Sequence, residues 1–107
     1  MSNIKQLISI IIPVYNESES IGFLLDEVIN VMSFHKFNFQ LIVVNDGSKD
    51  NTYQVLKELT LKIKELSVID LRKNYGQTAA MSAGFDNSKG DIVITLDGDL
   101  QLSLIHI

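Results

Sequence analysis

Asp91-Ile-Val-Ile-Thr-Leu-Asp-Gly-Asp-Leu-Gln101 joins a short β-branched apolar run to an abrupt acidic end. Ile92, Val93, Ile94 and Leu96 carry the signature of a strand buried on both faces, as in a parallel sheet covered by helices. Asp97 and Asp99 stand at i and i+2, and alternate side chains leave the same side of an extended chain. Both carboxylates then face one point beyond the strand end, and Gly98 between them lets another group approach the backbone. Two like charges so close call for protons, solvent or a cation. A hard ion bound by oxygen, Mg²⁺ or Mn²⁺, suits the pair and keeps sites open for phosphate oxygens. A solvated acidic turn is the alternative that these three residues leave open.

Around that stretch lies a chain of 107 residues, enough for one domain with a modest core. Apolar residues make up 46% and charged residues 21%, an ordinary globular balance. A net charge of −4 argues against nucleic acid as a partner. There is no cysteine, which excludes disulfides and thiolate metal sites. No apolar run reaches the length of a bilayer span. The run after Lys5 lacks a small-residue cleavage site and reads as a strand, not a signal peptide.

That first strand, Leu7-Ile-Ser-Ile-Ile-Ile-Pro-Val14, is almost wholly apolar and belongs at the centre of a parallel sheet. The only proline, Pro13, cannot donate to a ladder and marks where pairing ends. Ser18 or Ser20 is placed to cap the next helix, whose apolar positions run from Ile21 through Leu24, Leu25, Val28 and Ile29 to Met32 at helical spacing. His35 follows it as a loop histidine. A second strand spans 39–44 and ends in Asn45-Asp-Gly-Ser-Lys-Asp-Asn-Thr52. Asp50 or Asn51 caps a helix expected to reach about Glu65, with Val55, Leu59, Ile63 and Leu66 on its buried face. A third strand spans 68–71, and a helix follows from Gln77 to Asn87. Ala79, Ala80, Ala83 and Gly84 make that helix thin on one side, for close approach to the sheet or to a ligand. Lys89-Gly90 turns into the last strand.

The rhythm β-α-β-α-β-α-β predicts an α/β fold: a parallel sheet of about four strands, order 3-2-1-4, with helices on both faces. Ligands of such sheets bind beyond the carboxyl ends of the strands, where the strand order reverses. Tyr15-Asn-Glu17, Asp46, Lys73-Asn74 and Asp97-Gly-Asp99 all fall on that rim. A dinucleotide fold would need Gly-x-Gly-x-x-Gly after the first strand, where Pro-Val-Tyr-Asn-Glu stands, and a P-loop is absent for the same reason. Leu-Asp-Gly-Asp-Leu also resembles the haloacid-dehalogenase-like phosphatase motif, but that family carries it near the start of its fold, with Thr or Val where Gln101 stands.

Four segments together, Ile11-Ile-Pro-Val-Tyr-Asn-Glu17, Val44-Asn-Asp-Gly-Ser-Lys-Asp-Asn-Thr52, Asn74-Tyr-Gly-Gln-Thr-Ala-Ala-Met-Ser-Ala-Gly84 and Leu96-Asp-Gly-Asp-Leu-Gln101, resemble the family 2 glycosyltransferases of GT-A fold, in that family's order. The Asp-Leu-Gln ending is most similar to the polyprenyl-phosphate branch, which includes dolichyl-phosphate mannose synthase and the bactoprenol glucosyltransferases. The resemblance implies a Rossmann-like nucleotide-binding half and a nucleotide-diphosphate sugar donor, UDP- or GDP-linked. It also implies a polyprenyl phosphate acceptor, a divalent cation (Mg²⁺ or Mn²⁺), and work at the cytoplasmic face of a membrane. By the same resemblance Pro13, Tyr15 and Glu17 hold the base and ribose, and Asp46 reaches base or ribose. Lys73, Asn74 and Gly76 line the nucleotide pocket. Asp97 lies near ribose and metal, Asp99 on the metal, and Gln101 beside them.

After Gln101 the family continues into an acceptor half, whereas this chain reads Leu102-Ser-Leu-Ile-His-Ile107. Those six residues match the translation of a transposon-end sequencing adapter and are expected to be a non-native tail. Residues 1–101 are then expected to be the donor half of a truncated enzyme. Its catalytic base and its membrane contact would lie in the missing C-terminal part. A nucleotide-binding module without transfer activity is the alternative.

Overall fold

The computed structural model describes residues 6–96. In chain order they form β1 (Leu7–Val14), α1 (Ile21–Phe34), β2 (Asn38–Asp46), α2 (Thr52–Thr60), β3 (Leu66–Leu71), α3 (Gln77–Asn87) and β4 (Ile92–Thr95). Among the described residues the strands make one parallel sheet in the order β3-β2-β1-β4, as expected from the alternation. Right-handed crossovers dictate the layers. The chain steps from β1 to β2 to β3 in one direction, so α1 and α2 share a face. It then returns past β1 to β4, so α3 covers the other.

The two cores follow from the period of two in β1. Ile8, Ile10, Ile12 and Val14 pack with Leu25, Val28 and Met32 of α1 and with Leu56 of α2. Ile11 faces the opposite way, with Ile42, Val44 and Ala80 of α3. Helix α3 sits close because Gly84 has no side chain: a Cβ there would stand 2.4 Å from Ile11 Cγ2. The small-residue face therefore serves helix–sheet contact.

Four expectations need correction. Strand β2 runs on to Asp46, because Asn45 and Asp46 find polar partners from other loops and stay buried. Helix α2 stops at Thr60, so Ile63 lies beyond it and Leu66 belongs to β3; Leu56 is its fully buried apolar residue, while Val55 and Leu59 are half-buried. Ser20 occupies the N-cap of α1 without capping it, since its hydroxyl donates to Glu17 Oε1 at 2.9 Å. Strand β4 is not buried on both faces: Ile92 is 41% and Val93 37% exposed. Among the described residues it pairs only with β1, and α3 lies over β1 and β2 instead.

Pro13 ends pairing on one side alone. Leu7 and Ile11 offer their carbonyls to Asp91 and Leu96, so odd-numbered residues of β1 turn their backbone toward β4. Pro13 has no N–H to continue that ladder, which stops at Ile11–Thr95. Toward β2, pairing persists to Val14–Asn45.

Candidate functional site

At the carboxyl rim of the sheet the ends of β1 and β2 and the loops after β1 and β3 enclose a cleft of about 360 Å³ lined by Pro13, Tyr15, Glu17, Asp46, Asn74, Gly76 and Gln77. Six of the seven are residues singled out from the sequence. Gln77 was missed, although it follows Gly76 directly within the Asn-Tyr-Gly-Gln segment. Lys73 is not among the lining residues; its ammonium lies 5.5 Å from the centre of the Tyr75 ring. Asp97, Asp99 and Gln101 lie outside the described residues.

Three loops are fastened to one another by polar side chains. Asp46 is 5% exposed, and its two carboxylate oxygens accept the N–H groups of Tyr75 at 2.8 Å and Gly76 at 3.0 Å. It thus anchors the entry of α3, where Gly76 adopts φ +98 as the N-cap. Gly47, at φ +70, lets the Lys73-Asn74 backbone cross over it, since a Cβ would lie 2.3 Å from Asn74 N. Buried Asn45 donates to Asp70 Oδ1 at 2.9 Å and accepts the Ser48 hydroxyl at 2.5 Å.

The β1–α1 loop is tied in the same way. Asn16, in the left-handed region at φ 55, donates its N–H to Ser48 Oγ at 2.9 Å, and its Oδ1 accepts Lys49 N–H at 2.8 Å. Glu17 N–H donates to Thr52 Oγ1 at 2.9 Å. Asp50, rather than Asn51, serves the start of α2: its Oδ1 accepts both the hydroxyl and the N–H of Thr52. The Thr52 hydroxyl bond holds the Asp50 carboxyl below the usual carboxylate range, against an opposing effect of burial, with help from the Thr52 N–H and Ser18.

The cleft carries two carboxylates, Glu17 and Asp46, and no Lys or Arg among its lining residues. A diphosphate entering it would need a compensating cation. Among the described residues no three potential ligands converge to hold one. His35, as expected, is a loop histidine; its ring stacks on Phe37 and meets Phe34 edge to face. No helix among the described residues is long and apolar enough to cross a membrane.

Sheet order, helix layers and the position of the cleft define a Rossmann-like unit of the doubly wound α/β class. Residues 9–105 match the family model of glycosyl transferase family 2, and the chain belongs to that family. It is 44% identical over 95 residues to the undecaprenyl-phosphate 4-deoxy-4-formamido-L-arabinose transferase of Proteus mirabilis (strain HI4320), an alignment covering 88% of this chain and 29% of that protein. Dodecaprenyl-phosphate galacturonate synthase of Rhizobium johnstonii is 39% identical over 95 residues, covering 88% and 28%. Among solved structures, the mannosyltransferase PcManGT of Pyrobaculum calidifontis, in complex with GDP-Man and Mn²⁺, shares the fold with a TM-score of 0.79 at 22% identity. That likeness covers 91% of this chain and 28% of PcManGT. The chain thus spans under a third of the length of these proteins. The family and fold expected from the four sequence segments are both borne out.

Proposed function

We propose that this chain supplies the nucleotide-sugar-binding side of a glycosyltransferase that moves a sugar from a UDP- or GDP-linked donor to a polyprenyl phosphate. The observation that carries the donor side is the convergence of Pro13, Tyr15, Glu17, Asp46, Asn74 and Gly76, drawn from the ends of β1 and β2 and the loops after β1 and β3, on one cleft. The acceptor class is supported by two relatives whose sugars differ while both are named for a polyprenyl phosphate. In this reading Tyr15 lays its ring beside the base, and Asp46 turns its remaining lone pairs toward base or ribose. Asn74 and Gly76 wall the pocket, with Lys73 at its margin.

Mg²⁺ or Mn²⁺ is the proposed cofactor, held by Asp97 and Asp99 with Gln101 beside them. Hard carboxylate oxygens are the appropriate donors for either ion. When bound, the cation stabilises negative charge that grows on the departing diphosphate. The acidic cleft fits this need, since its lining offers no cation of its own. The reaction is placed at the cytoplasmic membrane face, where a lipid acceptor is met. Residues 1–101 are taken as the donor half and 102–107 as a non-native tail; membrane contact and the catalytic base are assigned outside the described residues.

Calorimetric titration with UDP and GDP, with Mn²⁺ and then with EDTA, tests the donor side. Binding of one nucleotide that vanishes on chelation is expected, and a folded protein that binds neither would overturn the reading. For the acceptor, radiolabel from the matching nucleotide sugar should enter undecaprenyl phosphate when the full-length protein is supplied with both.

A further inference from the structure

Tyr15 and Glu17 both line the cleft, and the residue between them does not. Asn16 instead adopts φ 55, a left-handed conformation that Asn tolerates better than most residues. The backbone thus changes hand between the two residues that meet the cleft. Three hydrogen bonds of Asn16 hold it there: its N–H donates to Ser48 Oγ, and its Oδ1 accepts the Lys49 N–H and, more weakly at 3.4 Å, the Asp50 N–H. All three partners lie in the loop after β2, directly downstream of Asp46. Ser48 is itself held by buried Asn45.

We propose that Asn16 is a positioning residue for the donor nucleotide, fixing Tyr15 and Glu17 against the cleft by clamping the β1–α1 loop to the β2–α2 loop. This rests on the donor-binding reading above. Asn16 touches no nucleotide in this scheme and acts through its neighbours. Its side chain does two separable things: it permits the left-handed backbone, and it accepts the N–H groups of Lys49 and Asp50. Glycine keeps the first and loses the second; aspartate keeps both.

The test is nucleotide affinity in Mn²⁺ for Asn16→Gly and Asn16→Asp, each made in the parent and in Tyr15→Ala. Loss of a hydrogen bond in a preorganised loop should weaken binding by Asn16→Gly about 3- to 10-fold in the parent. In the Tyr15→Ala background the same change should cost at most about half as many fold, because one of the two residues it positions is gone. Asn16→Asp should stay within about 3-fold of the parent. Thermal unfolding of each variant separates a folding defect from a positioning effect, since a merely structural role would lower Tm without coupling to Tyr15. Equal losses in both backgrounds, or none for Asn16→Gly while the parent binds, would overturn the proposal alone. A folded parent that binds neither UDP nor GDP would overturn it together with the donor reading.

Discussion

Gly47→Ala is the perturbation that most directly tests how the rim is assembled. An added Cβ would stand 2.3 Å from Asn74 N, 2.3 Å from Lys73 C and 2.7 Å from Lys73 Cα. All three are backbone atoms, so no side-chain tip can swing aside, and the two loops must separate. The φ of +70 adds a second penalty. A left-handed non-glycine residue costs about 1–2 kcal/mol, and overpacking about 1–3 kcal/mol. Together they predict a loss of roughly 2–5 kcal/mol, a large share of the ~5–15 kcal/mol typical of a domain. Separation of the loops also strains the bonds from Tyr75 and Gly76 to Asp46. Urea unfolding should show the midpoint falling by about 1–3 M, with faster amide exchange at Tyr75 and Gly76. Gly22→Ala is the control: it lies in α1 with nothing within 4 Å of its added Cβ, and should stabilise by up to about 1 kcal/mol. A Gly47→Ala protein within about 0.5 kcal/mol of the parent would refute the close crossing of these loops.

Three further outcomes are expected. Tyr15→Ala should weaken UDP or GDP binding by roughly 1–3 kcal/mol while leaving pyrophosphate with Mn²⁺ unchanged; equal losses would place Tyr15 elsewhere than beside the base. Asp99→Ala should cost about 1.5–3 kcal/mol of metal-dependent nucleotide affinity, more than Asp97→Ala, and binding as tight as the parent's would remove Asp99 from the metal. The Asp50 carboxyl is held low by Thr52, so its contribution to stability is present above its unfolded pKa and is lost as pH falls through its lower folded value. Asp50→Asn should therefore flatten the acid limb of the stability–pH curve below about pH 4, and an unchanged limb would contradict the assignment.

The strands and helices were legible wherever one residue pattern decided them. Strand β1 and helix α3 match their predicted bounds because an unbroken apolar run and a glycine-bounded helical segment need no outside partner to be recognised. Sheet order, and the rim location of Pro13, Tyr15, Glu17, Asp46, Asn74 and Gly76, followed from alternation and crossover handedness. What the sequence could not decide was where polar residues go when their partners are distant in the chain. Asn45 and Asp46 read as loop residues, yet they end β2 because Asp70 and the N–H groups of Tyr75 and Gly76 satisfy them. Ser20 had a capping position and gave its hydroxyl to Glu17 instead. The apolar run of β4 promised burial, but exposure is set by what stands above and beside a strand, and α3 lies over its neighbours. Asn16 looked like one more member of a polar cluster, and its clamp on Lys49 appears only once two loops 33 residues apart meet. Local pattern determined which elements form and in what order; the tertiary structure alone decided which polar groups face the cleft and which hold it open.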